Sequence, residues 1–270
     1  MKFNIAKTGG VKAELVFEDR LDTEFVKALA EKEVFSGKAE EVYFSMNEKF
    51  ECNLLIGLGK EENIEFDMLR KTFFKVAEVL LRNKVAEVEL NIPKLNNLCN
   101  YKLAEAIAEG MLHATYKFDK FKSEKKETPE LIVNYNPIPG KEHRAEKGID
   151  EAKKLIESIF LTRDLVNQPA NVIYPETLAD ITKERLEAKG VKVTVYGKKE
   201  IEEIGMEAFL TVARASAKEP KLIVMEYYNN PESDERIALV GKGLTYDSGG
   251  YAIKPATSMV DMHTDMGGAG

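Results

Sequence analysis

The sequence has no tryptophan, two cysteines and three histidines in 270 residues. Cys52 and Cys99 cannot staple a chain of this length, so a disulfide scaffold is excluded; the expectation is a reduced, cytoplasmic protein with a real hydrophobic core. Three histidines exclude a His-rich metal centre, so any metal here must be held by carboxylates or by less usual donors. No apolar run approaches the roughly 18 residues of a membrane-spanning helix. The opening MKFNIAKTGG breaks at Gly9-Gly10 and lacks the apolar stretch of a secretory signal. An excess of basic charge is missing too. The formal net charge is −7, which argues against a nucleic-acid partner, because phosphate binding needs a basic surface. No internal repeat or low-complexity tract stands out.

What is present is 44% hydrophobic and 31% charged, a globular balance in which helices and strands alternate. Lys12–Phe17 and Val42–Ser45 are β-rich, and Asn53–Gly57 is an apolar run closed by the turn GLGK. The spacing of Phe66, Leu69, Phe73, Val76 and Leu80 predicts a helix over 64–82. A strand over 85–92, a helix over 100–116 and a strand over 131–135 follow. The charged stretch Lys117–Glu130 looks like a boundary region. A long helix is expected from about Ala145 to Val166.

Beyond it, Pro175 and Glu176 open a helix that Gly190 closes. Strands are predicted over Val191–Tyr196, Lys221–Tyr227 and Ile237–Gly241, with a short helix over Lys198–Gly205. The fold class is therefore α/β. The organisation expected is an N-terminal α/β domain over 1–140, a linking helix over 141–166, and the start of a second α/β domain with a mixed sheet over 167–270.

The chemistry concentrates after Ile237, in IALVGKGLTYDSGGYAIKPATSMVDMHTDMGGAG. Polar groups on Gly-rich loops just past a buried strand stand where open α/β sheets place their sites. The segment does not match a phosphate loop, and Asp247 in its middle would repel phosphate. Asp247 and Asp265 are hard oxygen donors suited to Mg²⁺, Mn²⁺ or Zn²⁺; read by spacing alone, they equally cap turns. Asp261 reads as a capping residue. Lys242, between two glycines after a buried strand, is expected to lose hydration and favour the neutral amine. Lys254 would stay charged and clamp an oxyanion. For both lysines the plain alternative is an exposed cation whose stem covers apolar surface. Tyr246 and Tyr251 read as packing aromatics, and His263 as a non-ligand.

The stretch VGKGLTYDSGGYAIKPATSMVDMHTDMGGAG resembles the site signature of the leucyl aminopeptidase family, the cytosol aminopeptidases with two metal ions. RDLVNQPANVIYPETLA (Arg163–Ala179), GMEAFLTVARASAKEPKLIVMEY (Gly205–Tyr227) and, more loosely, EGMLHATYKFDKFKSEKK (Glu109–Lys126) resemble the same family. The resemblance implies a macro-like N-terminal domain and a metal-dependent aminopeptidase that releases leucine-like residues from peptides with a free N-terminus. Lys242, Asp247 and Asp265 would be metal ligands, with Asp247 bridging and Asp265 also near the substrate. Lys254 would polarise the scissile carbonyl, and Met262 would line the side-chain pocket. The implied cofactors are two divalent ions, Zn²⁺ or Mn²⁺ with Mg²⁺ also accepted, and a bicarbonate; the implied assembly is a homo-hexamer.

The family also uses an Asp, a Glu and an Arg further downstream. The sequence given ends at Gly270 without them, so it reads as the N-terminal portion of a longer protein and is expected to be inactive alone. A non-catalytic binding or assembly module is the alternative.

Overall fold

The computed structural model describes residues 1–95, 98–125 and 129–270; of the charged stretch Lys117–Glu130, residues 126–128 lie outside it. The chain divides into two compact units, Met1–Ile159 and Phe160–Gly270.

The first unit is built on a six-stranded sheet. Its strands are β1 (Lys2–Ile5), β2 (Val11–Val16), β3 (Val42–Met46), β4 (Cys52–Gly57), β5 (Glu87–Asn91) and β6 (Ile132–Asn136). They lie in the order β1-β6-β5-β2-β4-β3, and every pair is parallel except β3 with β4. Parallel strands need crossovers: α2 (Phe66–Arg82) leads from β4 past β2 to β5, and α3 (Asn100–His113) from β5 to its neighbour β6. The stripe Leu69, Phe73, Val76, Leu80 is fully buried, together with Val88 and Leu90 of β5 and Val133 and Tyr135 of β6. Period-2 alternation puts those strand residues on one face and Glu87, Glu89, Asn91, Asn134 and Asn136 on the other.

Part of that second face is covered by α1 (Glu24–Glu31), where Val26 and Leu29 pack with Val16, Phe35 and Leu55. The sequence reading missed both α1 and β1. The signal for α1 was available in Thr23, whose hydroxyl accepts from the Val26 N–H at 3.2 Å. β1 is only four residues long, too short to show a pattern.

The rest of the second face is polar and largely cross-linked by hydrogen bonds, with Asn136 Oδ1 buried and without one. Asn134 donates to Glu87 at 2.7 Å, Gly9 N–H to Glu89 at 2.9 Å, and Asn91 to Glu89 at 3.0 Å. The Asn91 amide and the Gly9 N–H hold the Glu89 carboxyl below its ordinary value of 4.5. A depressed carboxyl stabilises the fold above its unfolded pKa and loses that contribution as pH falls through the folded one. Glu89→Gln is therefore expected to flatten the loss of urea stability between pH 6 and pH 3. Equal slopes in wild type and variant would refute this linkage.

Between β3 and β4, the Asn47 side chain accepts from the Lys49 and Glu51 N–H groups, both at 2.9 Å. The turn so fixed forces Phe50 to φ +62° with its ring 79% exposed. A left-handed residue with a Cβ costs about 1–2 kcal/mol, and this ring buries little in return. Phe50→Asn, which tolerates that conformation, is expected to raise stability by about 0.5–1 kcal/mol, read as a later urea midpoint.

The helix α4 (Glu142–Asn167) crosses the boundary between the units. Its Ala145, Ile149 and Ala152 belong to the first core. Its Leu161, Leu165 and Val166 belong to the core of the second unit, with Ile173, Leu178, Ile181, Ile223 and Met266.

In the second unit, α5 (Pro175–Glu187) starts at Pro175, with Thr177 Oγ1 accepting from the Tyr174 N–H at 3.0 Å. β7 (Lys192–Tyr196) pairs antiparallel with β8 (Leu222–Glu226), and α6 (Lys198–Ile204) and α7 (Glu207–Ala213) lie between them in the chain. The strand expected over Ile237–Gly241 does not form: Ile237, Leu239 and Val240 are 91%, 94% and 98% exposed. An apolar run alone does not make a strand. Its N–H and C=O groups need a neighbouring ladder, and among the described residues β7 and β8 pair only with each other.

Candidate metal centre

The site is held from its C-terminal end. Met266 is fully buried in the second core, which pins the short 3-10 turn Met262–Gly268 and the adjoining Asp265. The extended backbone at 241–243 lies against this turn. A Cβ on Gly241 would stand 2.2 Å from the Gly268 carbonyl oxygen, so only glycine allows the approach. Lys242 is thereby placed with Nζ 2.9 Å from Asp265 Oδ2.

A second device brings the other pair together. Gly249, Gly250, Tyr251 and Ala252 all have positive φ, between 52° and 83°. This left-handed turn reverses the chain, and the Lys254 N–H donates to Ser248 O at 3.1 Å. Lys254 Nζ then lies 2.8 Å from Asp247 Oδ2 and 2.9 Å from Met262 Sδ. Asp247 Oδ1 accepts from the Gly249 N–H at 2.7 Å. The turn leaves Tyr251 fully exposed, so it is not a packing aromatic; Tyr246 reaches Met259 O at 3.4 Å.

All five residues singled out in the sequence thus fall into two Lys–Asp pairs, Lys242 with Asp265 and Lys254 with Asp247, with Met262 beside the second. The pairs sense each other. The Asp247 carboxyl is held below its usual range by Lys254 first and the Gly249 N–H next, with a smaller contribution from Lys242. The desolvation expected at Lys242 does not prevail: its side chain is 59% exposed, and the Asp265 partner outweighs it and pushes the pKa up. Free of metal, the geometry favours the ammonium, because the preceding segment is not a buried strand. His263 stands in the same turn but makes none of the contacts that join the lysines to the aspartates. Asp261 caps the turn through its backbone, its carbonyl accepting from the Thr264 N–H at 2.9 Å and from Thr264 Oγ1 at 2.7 Å.

The donor set fits part of a divalent-cation shell. Asp265 Oδ2 is buried and ion-paired with the Lys242 ammonium at 2.9 Å. Such an anionic oxygen keeps lone pairs available for a hard cation. Among the described residues no group of three His, Cys, Asp or Glu side chains is placed to hold a metal. The donors on hand are the two carboxylates and the Lys242 amine. The sequence missed the pairing of Lys254 with Asp247, for which the run of four left-handed residues was the only local cause.

Fold and site together describe an α/β protein of two units with a carboxylate–amine centre on glycine-rich loops. The catalytic domain of the cytosol aminopeptidase family matches residues 160–270, and the N-terminal domain of the same family matches residues 8–125. The chain belongs to the cytosol aminopeptidase family.

It is 75% identical to a probable cytosol aminopeptidase of Treponema denticola over 270 residues, covering 100% of the chain and 57% of that protein. A probable cytosol aminopeptidase of Clostridium tetani is 43% identical over 274 residues, with the same coverages of 100% and 57%. Among solved structures, a mutant of tomato leucine aminopeptidase matches with a TM-score of 0.80 and 23% identity, covering 100% of this chain and 57% of that one. The bottromycin maturation enzyme BotP in complex with Mn matches with a TM-score of 0.77 and 24% identity, covering 97% and 54%. At those identities the two structures establish the fold alone. The chain spans 57% of the length of these curated relatives.

Proposed function

We propose that the protein is, or forms the N-terminal part of, a metal-dependent aminopeptidase that releases N-terminal, leucine-like residues from peptides. The observation that carries this reading is the convergence of Lys242, Asp247, Lys254 and Asp265 into two contacting pairs, one of them on the buried Asp265 Oδ2. Family membership supports it. Divalent ions, Zn²⁺ or Mn²⁺ with Mg²⁺ as a further candidate, supply an activated water and Lewis-acid polarisation when bound.

In this reading Asp247, Asp265 and the Lys242 amine hold the ions, which requires Lys242 to give up its proton. Asp265 also lies near the substrate amine. Lys254 keeps its charge, points it at the scissile carbonyl and steadies the oxyanion. Met262, next to Lys254, presents an apolar wall to the first side chain. The domains are taken as 1–140, a linking helix over 141–166, and the catalytic portion from 167. Bicarbonate, a homo-hexameric assembly and a cytoplasmic location belong to the same proposal.

The test is hydrolysis of leucine p-nitroanilide by the protein purified from its source in Mn²⁺, with a chelator and an N-acetylated substrate as controls, and the same assay on the 270-residue polypeptide. Chelator-sensitive cleavage of the free-amine substrate only, and none by the 270-residue polypeptide, is expected. A source protein that is inert under these conditions removes the aminopeptidase reading.

A further inference from the structure

We infer that Lys254 and a divalent cation compete for the Asp247 carboxylate, so that loading the metal releases the Lys254 ammonium and Met262 retains it as a positioning residue. This rests on the metal-centre reading above and concerns how that centre is regulated. The Lys254 ammonium has two anchors, Asp247 Oδ2 at 2.8 Å and Met262 Sδ at 2.9 Å. The first is an anion and a metal donor. Asp247 Oδ1 accepts from the Gly249 N–H and Oδ2 carries the Lys254 ammonium, so a cation on this carboxylate shares its charge with Lys254.

Two cations cannot both be fully neutralised by one carboxylate. A divalent ion on Asp247 therefore weakens the hold on Lys254 by charge. The thioether is a weak, neutral acceptor that a metal of this hardness does not contest. Met262 thus tethers the freed ammonium on the loop reversal made by residues 249–252. The side chains of Lys254 and Asp247 are 27% and 22% exposed, so the contact is screened less than a surface pair. Before loading, the charge on Lys254 is spent on Asp247; after it, the same charge is available to a substrate carbonyl.

The experiment uses Mn²⁺ alone as the probe, with two readouts that need no catalysis. One is Mn²⁺ affinity by calorimetry. The other is acylation of Lys254 by a limiting acid anhydride, located by peptide mass spectrometry. In wild type, saturating Mn²⁺ is expected to raise Lys254 acylation several-fold, and Lys254→Met is expected to bind Mn²⁺ about fivefold more tightly, the strength of one partly screened pair. Asp247→Asn should show high acylation with no response to Mn²⁺. Met262→Leu should keep the Mn²⁺ affinity of wild type and lose selectivity for Lys254 over exposed lysines once Mn²⁺ is present.

If Asp247→Asn weakens Mn²⁺ binding but neither Lys254 acylation nor the Lys254→Met affinity moves, the competition is overturned and the metal centre stands. Unchanged Mn²⁺ affinity in Asp247→Asn overturns the metal centre itself, and the competition with it.

Discussion

Asp265→Asn is expected to weaken Mn²⁺ binding by about 100-fold while moving unfolding stability by less than about 1 kcal/mol. Asp265 Oδ2 is a buried anionic oxygen paired only with the half-exposed Lys242 among the ion pairs of the described residues. Asparagine keeps the shape and removes the charge. Changing partners that only orient a metal ligand already costs roughly 10–100-fold, and in the proposed centre Asp265 is itself a donor.

A second effect runs the other way. Asp265 favours the ammonium form of Lys242, so removing it eases the deprotonation that the proposed role of Lys242 as a ligand requires. That gain is bounded by the strength of an ion pair whose lysine is 59% exposed, at most about fivefold. Ligand loss therefore wins. Stability barely moves because the same screened pair is all that the fold forfeits. Calorimetric titration with Mn²⁺ beside a urea melt separates the two. Affinity within about threefold of wild type would remove Asp265 from the ligand set.

Phe73→Ala is expected to destabilise the first unit by about 3–5 kcal/mol. The ring is fully buried in the stripe that α2 lays on the sheet, among residues that are themselves fully buried. The loss combines transfer of the ring to water with a cavity that a close-packed core cannot close. Set against a typical domain stability of about 5–15 kcal/mol, this consumes much of the margin. Phe121→Ala deletes the same group from a ring that is 56% exposed, and less than about 1 kcal/mol is expected. Urea unfolding followed by far-ultraviolet circular dichroism checks both. With two units the curve is to be read for two transitions, and the Phe73 effect belongs to the one that reports the six-stranded sheet. A shift of equal size in the two variants would mean that α2 is not the keystone of that core.

The helices α2, α3, α4 and α5 were legible because each carries its own evidence. Three-to-four spacing of apolar residues marks the face, and Pro175 and Gly190 punctuate the ends of α5. The strands β2 to β8 were legible for the same kind of reason. The strand order was not, because no local pattern says that β6 inserts between β1 and β5. Ile237–Val240 shows the limit from the other side. Its residues ask to be a buried strand, but that state is a property of a ladder with at least two members.

The site divides in the same way. Residue types offered Lys242, Asp247, Lys254 and Asp265 only as candidates that read equally well as caps and exposed lysines; the resemblance of the whole stretch to a family signature singled them out and added Met262. Which lysine meets which aspartate was decided by tertiary structure. Met266 sinks into the second core and fixes Asp265 for Lys242, and four left-handed residues fold Lys254 back onto Asp247. The charge state of Lys242 was settled there too. Sequence can predict that a lysine follows an apolar run, but its pKa answers to the solvent and the carboxylate that the folded chain puts beside it.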